Sequence, residues 1–211
     1  MNAVTLTGRY VTVEPLNPAA HGTALWEGIS GSKNDDLWRY LPEGPFAVQE
    51  DFERDLEDKA VSKDPLFHVI TDHVSGRAVG RTSYMRIEPK HRCLEVGSIL
   101  YSPALQRTRG ATEAMYLMAR HVFETLGYRR YEWKCNALNE ASRRSALRLG
   151  FSFEGIFRQH MIVKGQNRDT AWFSMLDHEW PSRKQAMENW LDPANFDANG
   201  AQQRSLTDFR D

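Results

Sequence analysis

Along the first 176 residues, apolar positions switch repeatedly between a period of two and a period near 3.6, predicting strands and helices interleaved in one mixed α/β domain. Leu6 to Leu16 reads as a strand closed by Pro15 and Pro18, and Asn17 is placed to cap a helix carrying Ala20, Leu25, Trp26 and Ile29. After a loop from Gly31 to Pro45, Phe52, Leu56 and Ala60 fall at i, i+4 and i+8 among charged neighbours, predicting a second helix over Val48 to Val61. Leu66 to Asp72 and Ala78 to Ile87 form a predicted hairpin around Ser75-Gly76, and Leu94 to Tyr101 is a strand stopped by Pro103. A long helix follows, with Ala111, Met115, Met118 and Val122 opposite Glu113, Arg120 and Glu124, and Gly127 as its stop.

Arg129 to Asn136 alternates Tyr131, Trp133 and Cys135 against Glu132, Lys134 and Asn136, the period of a half-buried strand. Glu140 to Leu149 is expected to be helical up to Gly150, and Phe151 to Val163 and Asp169 to Leu176 to pair around the turn Lys164 to Arg168. Past Pro181, a short helix with Met187, Trp190 and Leu191 leads to a polar tail that could stay mobile or dock on a partner subunit in a homodimer. Residues 1–180 are therefore expected to form the domain and 181–211 an appendage.

Composition narrows the function. With 27 Lys plus Arg against 28 Asp plus Glu, the chain is not built to coat nucleic acid. Cys93 and Cys135 sit in apolar runs without a spaced framework, as free thiols of a reducing compartment do. Met1 to Tyr10 lacks a signal pattern and no apolar run reaches about 18 residues, so a cytoplasmic protein off the membrane is expected. The seven histidines include no i, i+4 pair, and no metal site is expected.

Gln106-Arg107-Thr108-Arg109-Gly110-Ala111-Thr112 lies where a strand feeds the long helix, so backbone N–H groups and the positive helix end can converge on a phosphate. Taken alone, such a junction is equally a plain connection. Gln106 and Ala111 match the ends of the Gln/Arg-x-x-Gly-x-Gly/Ala acetyl-CoA signature, and Ala111-Thr112-Glu113-Ala114 with Asn139-x-x-Ser142, Gly150-Phe151 and Glu154-Gly155 resemble signatures of one subgroup. Over about residues 5–180 the chain thus resembles the GNAT superfamily, in the subgroup containing the ribosomal-protein N-terminal acetyltransferases. The resemblance implies a single GNAT-like domain, mixed α+β, whose central twisted sheet of about seven strands has helices on both faces.

It also implies acetyl transfer from acetyl-CoA to a primary amine, with Gln106 to Thr112 and Asn139 holding the donor. Glu95 matches the family's proton-accepting carboxylate, and Gly97 a bulge position in its strand. Ala146 stands where many relatives carry a Tyr acid, so Ser142 is the proton donor that the resemblance offers. Each residue also has a plain structural role open to it: ion pairing for Glu95, helix capping for Asn139 and Ser142, a solvated surface for Arg107, Arg109, Arg143 and Arg144. Arg109 occupies the motif's central Gly, where its guanidinium could fork onto phosphate.

Trp38, Tyr40 and Phe46, together with the turn bearing Arg168, are expected to border the acceptor, though three aromatics near Pro42 and Pro45 equally suit a satellite core. The acceptor could be a small molecule or a peptide. A free α-amino group is several hundred times more neutral at pH 7 than a Lys side chain, by pKa values of about 8 and 10.4, which favours N-termini or weakly basic amines. A non-catalytic acyl-CoA-binding module is the alternative that the absent Tyr leaves open.

Overall fold

The computed structural model describes residues 2–210. Eight strands form one sheet in the order β1-β2-β3-β4-β5-β6-β8-β7. In chain order these are β1 (Leu6–Thr7), β2 (Val11–Pro15), β3 (Leu66–Asp72), β4 (Ala78–Glu88), β5 (Cys93–Tyr101), β6 (Arg130–Asn136), β7 (Ser152–Val163) and β8 (Gln166–Leu176). Every neighbouring pair is antiparallel except β5–β6, whose parallel register needs a crossover. Helix α3 (Arg109–Arg120) supplies it, running into a π turn at His121–Thr125 before Gly127 at φ 63°.

Helices α1 (Pro18–Ile29) and α2 (Gln49–Val61) bury Leu25, Ile29, Phe52 and Leu56 on one face of the sheet. On the other face α3, α4 (Glu140–Arg148) and α5 (Trp180–Leu191) contribute Met118, Ala146 and Trp190 to the main core. The Asn17 carboxamide accepts from Ala19 and Ala20 N–H, the cap expected from sequence.

Four expectations change. The first strand is split into β1 and β2, because Gly8 to Tyr10 turn around a carboxylate: Glu113 accepts from the N–H groups of Arg9 (2.7 Å), Tyr10 (2.6 Å) and Val11 (2.9 Å). Glu113, expected on the polar side of its helix, is therefore buried, and α3 is covered all round by the sheet and α5. The closing turn shrinks to Lys164-Gly165, at φ 50° and 73°, the primed geometry that matches strand twist, so β8 begins at Gln166. The segment beyond Pro181 packs on its own domain. Trp190, Leu191 and Leu206 join the main core, and the Tyr116 hydroxyl donates to Glu188 at 2.7 Å.

A buried histidine gives this core a pH dependence. His68 is fully buried beside the Tyr84 ring, and its Nδ1 meets the Leu66 carbonyl at 3.2 Å. Desolvation lowers its pKa to about 4. The unfolded chain, with a value near 6.5, binds the extra proton first, so the stability is complete above pH 6.5 and is lost as pH falls toward 4. We expect about 3 kcal/mol of unfolding free energy to disappear between pH 7 and 4 from this group. Urea titrations of the parent and His68→Leu at both values check it: an equal loss in the two proteins refutes the assignment.

Candidate active site

β5 and β6 pair from Cys93↔Arg130 only as far as Val96↔Trp133, although β5 continues to Tyr101 and β6 to Asn136. The strands separate because β5 bulges. Ser83 faces Gly97 and Arg81 faces Leu100, leaving β5 one residue long, with Ser98 at φ 50°. At Gly97 an added Cβ would press on the Met85 sulfur, so a larger residue there would have to displace that side chain. The gap opens a cleft of about 960 Å³ that runs from the start of α3 to the β7–β8 hairpin.

At the α3 end, the Thr108 hydroxyl accepts from Ala111 N–H (3.2 Å) and donates to the Leu105 carbonyl (2.7 Å), fixing the loop. The N–H groups of Arg109 and Gly110 open the helix without intrahelical acceptors, as first-turn groups do. The left-handed residue is Arg107 (φ 61°), whereas Arg109 is already helical, so its position needs no glycine. Gly110 serves close packing instead: a Cβ there would meet Val11 at 2.8 Å. The Gln106 amide donates to the Tyr101 carbonyl at 3.1 Å. Gln106, Arg107, Thr108, Ala111 and Thr112 line the cleft, as do Asn139 and Ser142 from the start of α4.

Three expected groups turn elsewhere. The Arg109 guanidinium sits between the rings of Tyr10 (4.9 Å) and Phe196 (4.7 Å) rather than facing the cleft, a cation–π sandwich supplied by both ends of the chain. Arg143 reaches the Ala137 carbonyl, and Arg144 pairs with Glu140 on the surface. Arg148 joins Arg107 as a cleft cation at this end. It donates to the buried Thr112 hydroxyl at 3.1 Å and lies over the Trp190 ring at 4.7 Å, and burial pulls its pKa down. Trp190, held by Gln202 at 2.8 Å, brings the C-terminal segment into the cleft wall.

The middle of the cleft holds the candidate reacting groups. Glu95 is 4% exposed, 3.0 Å from both Arg86 and Lys134. Burial raises its pKa, while Lys134 and Arg86 pull it back. Lys134 is itself 2.7 Å from Glu132 and stands over the Trp172 ring. Across the cleft, Asn139 accepts from Ser142 N–H as the α4 cap. The Ser142 hydroxyl accepts from Trp133 Nε1 at 2.9 Å, which leaves its proton to donate. Ala146 is buried in the core.

At the hairpin end, Tyr40 and Arg168 line the cleft with His160. Trp38 and Phe46, expected there too, are in the satellite core instead, edge to face with each other and with Phe52. They are apolar rings under a long loop, and burial against α2 outweighs exposure to the cleft. Two hydrogen bonds draw this end together: Tyr40 donates to the Leu138 carbonyl at 3.2 Å, and Lys164 to the Trp38 carbonyl at 2.8 Å. Sequence reasoning missed Arg86, Lys134, His160, Arg148, Trp190 and Gln202. Of these, only Arg148 left a signal, the three-residue spacing Asn139, Ser142, Ser145, Arg148 that puts polar groups along one helix face.

Residues 12–152 match the family described as Acetyltransferase (GNAT) domain. A crystal structure of a GCN5-related N-acetyltransferase from Brucella melitensis is 48% identical, covers 100% of this chain and 95% of that one, and superposes with a TM-score of 0.98. An uncharacterised N-acetyltransferase of Bacillus subtilis, YoaA, is 32% identical over 98 residues, 46% of this chain and 55% of that protein's length. RimL, a ribosomal L7/L12 α-N-protein acetyltransferase, shares the fold at 17% identity and a TM-score of 0.69, over 82% of this chain and 94% of that one. With a splayed parallel strand pair, a bulge beside it and a helix start at its end, on a sequence matched over most of its length, this chain belongs to the GNAT acetyltransferase family.

Proposed function

We propose that the chain moves the acetyl group of acetyl-CoA to a primary amine by direct attack. The observation that carries this reading is the separation of β5 from β6, which sets the Glu95 carboxylate and the Ser142 hydroxyl on the wall of one cleft ending at the start of α3. The donor fits the residues present. Arg107 and the desolvated Arg148 beside the start of α3 suit phosphate, and Asn139 and the Trp133–Ser142 pair line the cleft with them.

When bound, acetyl-CoA supplies an activated thioester. Glu95 takes the proton from the acceptor ammonium, directly or through water, and freed N–H groups at the β5 bulge polarise the acetyl carbonyl as nitrogen bonds to it. The carbon–sulfur bond then breaks, Ser142 hands its proton to the departing thiolate, and the second proton that the nitrogen sheds as the amide forms restores the Ser142 hydroxyl. Arg86, Lys134 and Arg168 assist by raising the cost of a positive charge on the amine, lowering its pKa toward neutrality.

Calorimetry tests the reading first. We expect acetyl-CoA to bind with a micromolar Kd; at a hundredfold excess over Kd the linkage is about 2.7 kcal/mol. For a chain of this size that raises Tm by roughly 5–10 °C. Arg148→Ala is expected to weaken binding about tenfold and flatten its salt dependence. Absence of binding at millimolar acetyl-CoA overturns the proposal.

A further inference from the structure

The charges of the acceptor half do not balance among themselves. Glu95 is shared by Arg86 and Lys134, Glu132 by Lys134 and Arg130, and Glu154 is held by Arg130 through two hydrogen bonds of 2.7 Å. Each carboxylate of this network is thus already engaged by cations. Arg168 lies on the same wall, yet none of the described carboxylates ion-pairs with it, and its Nε is sealed from solvent without a hydrogen-bond partner. Burial works against its charge, opposed chiefly by the field of Glu95. With its Nε shut off from water and the rest of the half-buried fork facing the cleft, this guanidinium has donors that an anionic ligand would complete.

Arg168 also has the right neighbours for a ligand. It shares the face of β8 with Thr170, whose hydroxyl meets His160 at 2.9 Å, and the cleft beside it leads to Glu95. A planar fork is the side chain that matches two oxygens of one anion. The wall that receives the amine carries Arg39, Arg86, Lys134 and Arg168 against Glu95 and Asp36, an excess of cations that disfavours polycations. The Tyr40–Leu138 and Lys164–Trp38 bonds tie the surrounding loops together at this end of the cleft, an arrangement that suits a compact acceptor.

We infer that the acceptor is a compact primary amine carrying its own carboxylate or phosphate, which Arg168 holds while Glu95 faces the amine. This rests on the acetyl-transfer reading above and adds the substrate class to it. The test is a thiol-release assay with acetyl-CoA on matched pairs: amino acids against their amides, amino-sugar phosphates against the free amino sugars, with a polyamine and an acidic-N-terminus peptide alongside.

We expect the anionic member of at least one pair to exceed its uncharged partner about thirtyfold in kcat/KM, mainly through KM. The pair that shows it tells carboxylate from phosphate. Arg168→Gln should collapse that ratio toward one, and Arg168→Lys, a charge without the fork, should restore part of it, both with acetyl-CoA titrations like the parent's. Turnover of the polyamine, of uncharged amines or of the peptide at or above the anionic small molecules overturns the inference while sustaining acetyl transfer. Acetyl-CoA binding with no thiol release from any member of the panel overturns both.

Discussion

Glu95→Gln is expected to lower turnover about 100-fold at pH 7 while leaving acetyl-CoA binding near that of the parent. The variant should fold, because Lys134 keeps Glu132 at 2.7 Å and Arg86 is half exposed, so no buried cation is orphaned. What is lost is the acceptor for the ammonium proton. Raising the pH supplies neutral amine without a base, so the deficit should shrink toward pH 9, and a deficit that persists there undiminished would assign Glu95 to positioning. Ser142→Ala should also slow turnover, but without that pH trend, since its proton goes to sulfur. Rates like the parent's in both variants, on an acceptor that the parent acetylates, would leave the base and the acid elsewhere.

Glu113→Ala is expected to cost about 4 kcal/mol of stability, because three backbone N–H groups lose one charged acceptor together. Arg9, Tyr10 and Val11 converge on its two oxygens, and Gly8 is glycine because any Cβ would occupy the same place. Water has little access to this buried carboxylate. Urea denaturation measures the loss, and a change under about 1 kcal/mol would mean that solvent replaces the carboxylate. The turn also abuts the first helical turn of α3, so the variant should bind acetyl-CoA more weakly than its remaining folded fraction accounts for.

Much of this architecture could be read in the chain because strand and helix periods are local. The Trp133-Cys135 alternation, the Asn17 cap, the turn at Gly76 and the stop at Gly127 all need only their neighbours. Glu95, Ser142 and the residues from Gln106 to Thr112 were reachable through resemblance, and the structure gathers most of them in one cleft. Lys134 was not reachable. It sits on the polar side of β6, which a single strand assigns to solvent, and only the pairing with β5 sets it against Glu95. Arg109 misled for the same reason: its place at the motif was visible, but the Tyr10 and Phe196 rings that capture it come from distant segments. Trp38 and Phe46 show the limit of aromatic spacing, which does not distinguish a slot from a core.

The enclosure of α3 by both flanks of the chain sets an order for biosynthesis. Tyr116 and Phe123 stack on Trp180, and Trp190 lies under Arg148, so the segment that finishes the helix's surroundings is translated after every residue proposed to touch the acetyl group. Until α5 has been made and released, α3 keeps a bare aromatic face. That interval is when chaperones have something to hold, and a message cut short before codon 180 would yield a ward of the quality-control machinery instead of a catalyst.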